Sequence, residues 1–162
     1  MLIEKWINFP SVSGWTLTKL SNNAWRFHDS SLFFDSQPLT IDTGVWHQVI
    51  ARRDGNAFSI FFDNTEVASA SFVSPIADTS APLLIGRRGD ARGFATNGRI
   101  DEVAIWNQAL SDTEISLLWN NGAGRQADNF ATSIPEPPTP LLFSTGVLGL
   151  LSYRWRQRKE RG

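Results

Sequence analysis

The sequence predicts an all-β protein: a mostly antiparallel sandwich with one short late helix, followed by a C-terminal hydrophobic helix. Three observations carry that expectation. Short stretches alternate apolar with polar residues and are separated by Gly, Asn, Asp and Ser, as half-buried strands joined by turns do. Seven Trp and eleven Phe in 162 residues favour pleated surfaces, on which aromatic side chains pack well. Only one stretch, "LSDTEISLLWNNG", carries a helical start signal, an apolar stripe and a stop. Many short strands and a single late helix make a sandwich.

The elements follow in order. "LIEKWINF" alternates in part, and "GWTLTKL" alternates cleanly, with Trp15, Leu17 and Lys19 opposite Thr16, Thr18 and Leu20. "AWRFHD" and "SLFFDS" are two further short strands. "VWHQVIARR" (45–53) and "AFSIFFD" (57–63) form a hairpin around Asp54-Gly55, the strongest short-range turn signal, because Gly accepts the positive φ that matches strand twist. A tight turn at Asp63-Asn64 leads into "EVASASF", completing a three-strand meander. "LLIGR" is a strand, "RGDARGFATNG" a Gly-rich loop, and "RIDEVAIW" (99–106) a last strand that sets Asp101 beside Val103 and Ile105. In the helix, Ser111 is the N-cap and Glu114 completes a capping box. Ile115, Leu118 and Trp119 make its stripe and Gly122 stops it. Residues 123–139 are polar, then Pro-rich, and read as a linker between a domain over 1–122 and a tail over 140–162.

Composition removes several classes of function. The chain has no cysteine, so disulfides and thiolate metal sites are excluded. Its net charge is −1, but the charge is uneven. From Ile134 onward five basic residues face two acidic ones, giving +3, and the remaining 10 basic and 14 acidic residues leave −4. A mildly acidic body with a basic tip is not the footprint of a nucleic-acid binder. "MLIEKWINFP" has charges inside its first apolar stretch and does not resemble a secretory signal peptide.

Two long stretches resemble a known family. "VWHQVIARRDGNAFSIFFDNTEVAS" is similar to the Trp-His strand and following hairpins of laminin G-like, concanavalin A-like jelly rolls. "PLLIGRRGDARGFATNGRIDEVAIWNQALSDTEISLLW" is similar to the closing section of those modules. The resemblance covers about Leu2–Asn121 and implies a jelly roll. "LIEKWINF" resembles the family's second or third strand, so the opening strands are expected to be missing. The tail resembles a PEP-CTERM sorting signal. Pro135, Glu136 and Pro137 begin a motif that starts at 134, an apolar run follows, and Arg154, Arg156, Arg158, Lys159 and Arg161 close it. That resemblance implies an exported bacterial protein processed by an exosortase-type enzyme. It would be held briefly in the inner membrane, then released to the cell envelope or the extracellular matrix.

The uncharged run Leu141–Tyr153 holds 13 residues, short of the roughly 20 that span a bilayer as a helix. A marginal span with arginines at its end suits a detachable membrane segment better than a permanent anchor.

The candidate chemistry is sparse. Many modules of this type bind calcium at the sheet rim, and Asp101 matches the Asp of their Ile-Asp-Glu-Val motif; the simpler role for it is to accept hydrogen bonds from loop amides. Asp101 and Glu102 are adjacent on a strand and point to opposite faces, so they cannot flank one glycosidic bond, and no enzyme is expected. His47 reads as a structural residue. Arg88-Gly89-Asp90 spells an integrin-type tripeptide but sits where a Gly-rich turn is needed. Trp15, Trp25 and Trp46 are candidates for stacking on sugar rings, although alternating Trp also suits a sandwich core. The fold implies glycan or exopolysaccharide as partner and lectin-like adhesion as function. A glucanase-like hydrolase, or a scaffold that pairs through its sheet edge, are the alternatives.

Overall fold

The computed structural model describes residues 1–7, 12–30, 32–76, 78–89 and 94–127. The chain divides into two units, Met1–Ala127 and Asp128–Gly162, and the second lies outside the described residues. The expected tail helix and the sorting-signal residues Pro135, Glu136, Pro137, Arg154, Arg156, Arg158, Lys159 and Arg161 therefore lie outside them too.

Among the described residues the first unit has eight strands and one α-helix: β1 (Ile3–Ile7), β2 (Ser13–Lys19), β3 (Trp25–Asp29), β4 (Phe33–Asp35), β5 (Val49–Asp54), β6 (Ala57–Phe62), β7 (Thr65–Ser71), β8 (Leu83–Ile85) and α1 (Asp112–Trp119). They form a five-stranded sheet in the order β4-β3-β2-β1-β8 and a three-stranded sheet in the order β5-β6-β7. Every strand pairing among the described residues is antiparallel. Each strand lies where alternation places it, and the turns follow their local chemistry. Gly55 takes φ +58 between β5 and β6, and Asp63 and Asn64 both take positive φ, as the mirror-image hairpin turn before β7 demands.

The register assigns each residue of the larger sheet to a face. Ile85, Ile3, Leu17, Phe27 and Phe34 form one row across β8, β1, β2, β3 and β4. This face meets the second sheet. Phe27 lies 5.5 Å from Phe58 and Trp25 lies 6.3 Å from Phe62, ring centre to ring centre. Trp25, Phe27, Phe58, Ile60 and Phe62 are the buried centre of the core, and burying each ring or branched chain stabilises the fold by about 1.5–3 kcal/mol.

On the far side of the smaller sheet, Ile115 and Leu118 of α1 are buried. Arg52 of β5 reaches the helix start, where it donates to Leu110 O at 3.1 Å and to Asp112, with its guanidinium 4.7 Å from the Phe61 ring. The Ser111–Glu114 capping box forms as expected. The helix stops at Asn120 in the left-handed conformation, two residues before the expected Gly122. Asn tolerates that conformation because its short amide bonds locally, and here it donates to Gly124 O.

Two further expectations are corrected. The strand expected over 45–53 begins only at Val49, and Val45 and Trp46 lie exposed in the preceding loop. "RIDEVAIW" is not a strand: residues 99–106 are irregular, Glu102 has φ +50, and Val103 and Ile105 are exposed. Alternation specifies which side chains share a face, but a strand exists only where a neighbour completes its ladder. Among the described residues no neighbour does so.

One ion pair fastens the β5–β6 hairpin. His47 Nδ1 lies 2.7 Å from Asp63 Oδ2, and Nε2 lies 2.9 Å from Asp42 O. Asp63 Oδ1 also accepts from Gln48 N. A carbonyl and a carboxylate both accept, so the arrangement favours a proton on each ring nitrogen and hence the cationic ring. Burial acts against that charge, but the Asp63 carboxylate and the Asp42 carbonyl together outweigh it and hold the pKa above its ordinary 6.5. The resulting stabilisation is complete below about pH 6.5 and is lost as pH rises through the raised value. Thermal midpoints of the native chain should therefore fall on the alkaline side of 6.5, and His47→Gln should flatten that limb. A limb of unchanged steepness in the variant would remove His47 as its cause.

Candidate functional site

The second face of the five-stranded sheet turns away from the core. Leu84, Glu4, Thr16, His28 and Phe33 form its central row, one residue from each strand. Trp6 shares this face, two residues beyond Glu4, and pairs with Gly14. The Trp6 ring lies 4.7 Å from His28, which meets Phe33 edge-on at 6.1 Å. Arg26 places its guanidinium 4.3 Å from the centre of the Phe33 ring and forks onto Asp35 with two 2.7 Å bonds. The result is a continuous run of flat groups, Trp6–His28–Phe33–Arg26, crossing the sheet. Phe33, at 56% exposure, opens it to solvent.

Electrostatics keep the run apolar in the middle. The bond to Asp35 raises the Arg26 pKa further, so the outer end is a fixed cation. Burial lowers the His28 pKa, Arg26 and Arg88 add to that effect, and Asp29 opposes it. At neutral pH His28 is therefore an uncharged ring between two aromatic neighbours.

A loop closes one end of the face. Glu4 is only 2% exposed, and its Oε1 accepts from the Gly89 amide. Its Oε2 is buried and has no hydrogen-bond partner among the described residues, a costly arrangement for a carboxyl group. A Cβ on Gly89 would meet Leu84 at 3.2 Å and Glu4 Oε1 at 3.3 Å, so the loop backbone lies against the carboxyl. Chain entry to β8 is held in turn from β1: Lys5 Nζ donates to Asp78 Oδ1 at 3.0 Å and to Thr79 O at 2.6 Å. Between these segments lies a hollow of about 510 Å³, walled by Trp6, Ile7, Pro82, Leu84, Arg87 and Gly89 among others. That volume falls within the roughly 300–1,000 Å³ of small-molecule clefts.

The residues singled out from sequence are dispersed. Trp25 is buried in the core at 7% exposure and Trp15 packs against the same cluster, so both rings serve the sandwich interior. Trp46 is half exposed, with the Arg99 guanidinium 5.5 Å from its ring centre. Asp101 is exposed and accepts from the next amide, that of Glu102, whose own carboxylate accepts from Ala127 N. Among the described residues no three His, Cys, Asp or Glu side chains converge. Of the Arg88-Gly89-Asp90 tripeptide, Gly89 covers Glu4 and Arg88 lies 5.1 Å from the Phe94 ring; Asp90 is outside the described residues.

Sequence reasoning passed over Trp6, Glu4, His28 and Phe33 as a group. The available signal was parity: Glu4 and Trp6 share one face of β1, and an acidic residue inside an alternating strand marks the face away from the core. No helix of the described residues is long and apolar enough to cross a membrane.

Comparison with known proteins gives one family. The profile of the laminin G-like group, described as the concanavalin A-like lectin/glucanases superfamily, matches residues 3–116. No curated protein matches the chain. Among solved structures, an S-layer domain-containing protein from Clostridium thermocellum is similar at 20% identity and a TM-score of 0.43, over 72% of this chain. The match spans 60% of that protein's solved chain. With a two-sheet antiparallel fold and a family match over most of its length, the chain belongs to the concanavalin A-like lectin/glucanases superfamily.

Proposed function

We propose that this protein is a glycan-binding module, and that the outer face of its five-stranded sheet is the binding surface. The observation that carries the proposal is the aromatic run Trp6–His28–Phe33, ended by the Arg26–Asp35 fork. A pyranose ring has an apolar face and a polar rim. Flat uncharged rings take the first, and a fixed cation–carboxylate pair offers donors and acceptors to the second. The placement of the carboxylates supports binding over hydrolysis. Glycosidases hold two carboxyl groups on either side of one bond, whereas here Glu4 is sealed under Gly89 and Asp35 is forked by Arg26. The Pro-Glu-Pro, apolar and basic blocks of the tail support export and exosortase-type sorting, with the work done in the envelope or the surrounding matrix.

A scaffold role is the second reading. It draws on residues 99–106, which carry strand alternation and exposed Val103 and Ile105 outside any ladder.

Retention on immobilised polysaccharides tests the first reading. Trp6→Ala should weaken binding about tenfold, the equivalent of about 1.4 kcal/mol, which is the scale of one aromatic stacking contact. Phe33→Ala should weaken it less. Retention that survives Trp6→Ala and disappears with Trp46→Ala would move the site to the loop before β5.

A further inference from the structure

We propose that the hollow beside Trp6 is a subsite for an acidic sugar, with the Trp6 ring stacking on the pyranose and the Arg87 guanidinium pairing with a uronate carboxylate. The proposal rests on the glycan-binding reading above and names the ligand class that reading leaves open.

Arg26 is forked onto Asp35 and is not available to a ligand carboxylate without breaking that pair. Arg88 lies against Phe94. Glu4 is buried behind the Gly89 backbone, with Oε1 bonded to the Gly89 amide. Arg87, by contrast, is exposed, lines the hollow, and has no ion pair with any described residue. No described residue lining the hollow is acidic; besides Arg87 the walls are Trp6, Ile7, Pro82 and Leu84, with small residues completing them. Among the described residues of this face, Arg26, Arg87 and Arg88 outnumber Glu4 and Asp35 by one, on a body that is otherwise acidic. The His28 pKa is lowered chiefly by burial, with Arg26 and Arg88 adding to the effect and Asp29 opposing it.

Geometry selects a carboxylate over a bare point anion. A guanidinium presents paired N–H groups in a plane that matches two carboxylate oxygens. A uronate carries its carboxylate on the ring itself, at a fixed reach from the face that stacks. Trp6 and Arg87 both line the hollow, so a ring stacked on the one is within the same cleft as the other.

The test uses the full chain and three trisaccharides: tri-galacturonate, maltotriose and cellotriose, with binding followed by calorimetry. Tri-galacturonate should bind about tenfold tighter than either neutral sugar, the scale of one charge-assisted pair at an open site. Arg87→Gln should erase that preference and leave neutral binding in place. Arg87→Lys should keep part of it, because the charge remains and the fork is lost. About 1 M salt, where the screening length falls to about 3 Å, should reduce the preference in the native chain and not in Arg87→Gln. Arg125→Gln, which removes a charge elsewhere, should change nothing.

Equal binding of acidic and neutral sugars, or a preference that survives Arg87→Gln, would overturn the acidic subsite while the glycan reading stands. Binding of none of the three, with no retention on any immobilised polysaccharide, overturns both. A preference for dextran sulfate over tri-galacturonate that depends on Arg87 would replace the uronate with a sulfate ester and overturn the assignment as stated.

Discussion

Gly14→Ala is expected to destabilise the protein by about 4 kcal/mol or more, a large share of the 5–15 kcal/mol that holds a typical domain together. Two costs coincide at this position. Gly14 has φ +114, a conformation that side-chain-bearing residues rarely adopt, and it lies in the middle of a pairing. A Cβ there would lie 1.9 Å from Lys5 O and 2.9 Å from the Trp6 Cα, both of them backbone atoms of β1. Backbone in a ladder cannot rotate aside as a side chain can, so β1 must separate from β2. Gly44→Ala supplies the control. Gly44 has φ +85 with open space around its would-be Cβ, so alanine there adds only conformational strain, about 1–2 kcal/mol. Urea midpoints of the two variants separate the steric cost from the conformational one. Equal losses would mean that the close approach of β1 to Gly14 is not what the residue is for. Since β1 carries both Glu4 and Trp6, Gly14→Ala should also lose glycan retention under conditions where Gly44→Ala keeps it.

Phe58→Ala is expected to cost about 3–5 kcal/mol, from lost burial and from the cavity left behind. Phe58 is 3% exposed and sits at the meeting point of the two sheets. Its ring centre lies 5.5 Å from Phe27, 5.5 Å from Phe72 and 6.2 Å from Phe34, and Arg53 covers it at 4.8 Å. Three aromatic neighbours, two held on strands and Phe72 directly after β7, cannot all collapse into the vacated space. Phe58→Leu, which keeps most of the volume, should cost about 1.5 kcal/mol. Phe33→Ala is the informative contrast. Phe33 is also an aromatic residue of a strand but is 56% exposed on the opposite face, so its removal should leave the urea midpoint nearly unchanged while weakening retention. Similar stability losses for Phe58→Ala and Phe33→Ala would contradict the assignment of the two faces.

Much of the architecture was legible because it is written locally. Asp54-Gly55 and Asp63-Asn64 announce their turns through the conformations those residues tolerate, and Ser111 with Glu114 announces a helix start by two reciprocal hydrogen bonds. What failed depends on partners distant in sequence. Residues 99–106 alternate as well as any strand, yet a ladder needs a neighbour, and alternation contains no information about one. The same blindness hid the candidate site. Trp15 and Trp6 look alike in a sequence of alternating strands, and only the pairing register sends the first to the core and the second to the open face. Glu4 gave the better clue. Its parity within β1 sets it on the face away from Ile3, and the covering loop that buries it is invisible until the fold brings residue 89 beside residue 4.

The candidate site and the core are printed on opposite sides of the same five strands. The row Ile85–Ile3–Leu17–Phe27–Phe34 backs directly onto the row Leu84–Glu4–Thr16–His28–Phe33. A one-residue insertion or deletion inside any of these strands exchanges its two sides, sending a core residue to water and a surface residue inward. Such a change would damage stability and recognition in one step. The outer face is therefore open to change by substitution, and changes of length are confined to the connections: the turn after β3, the approach to β8, and the loop that carries Arg87.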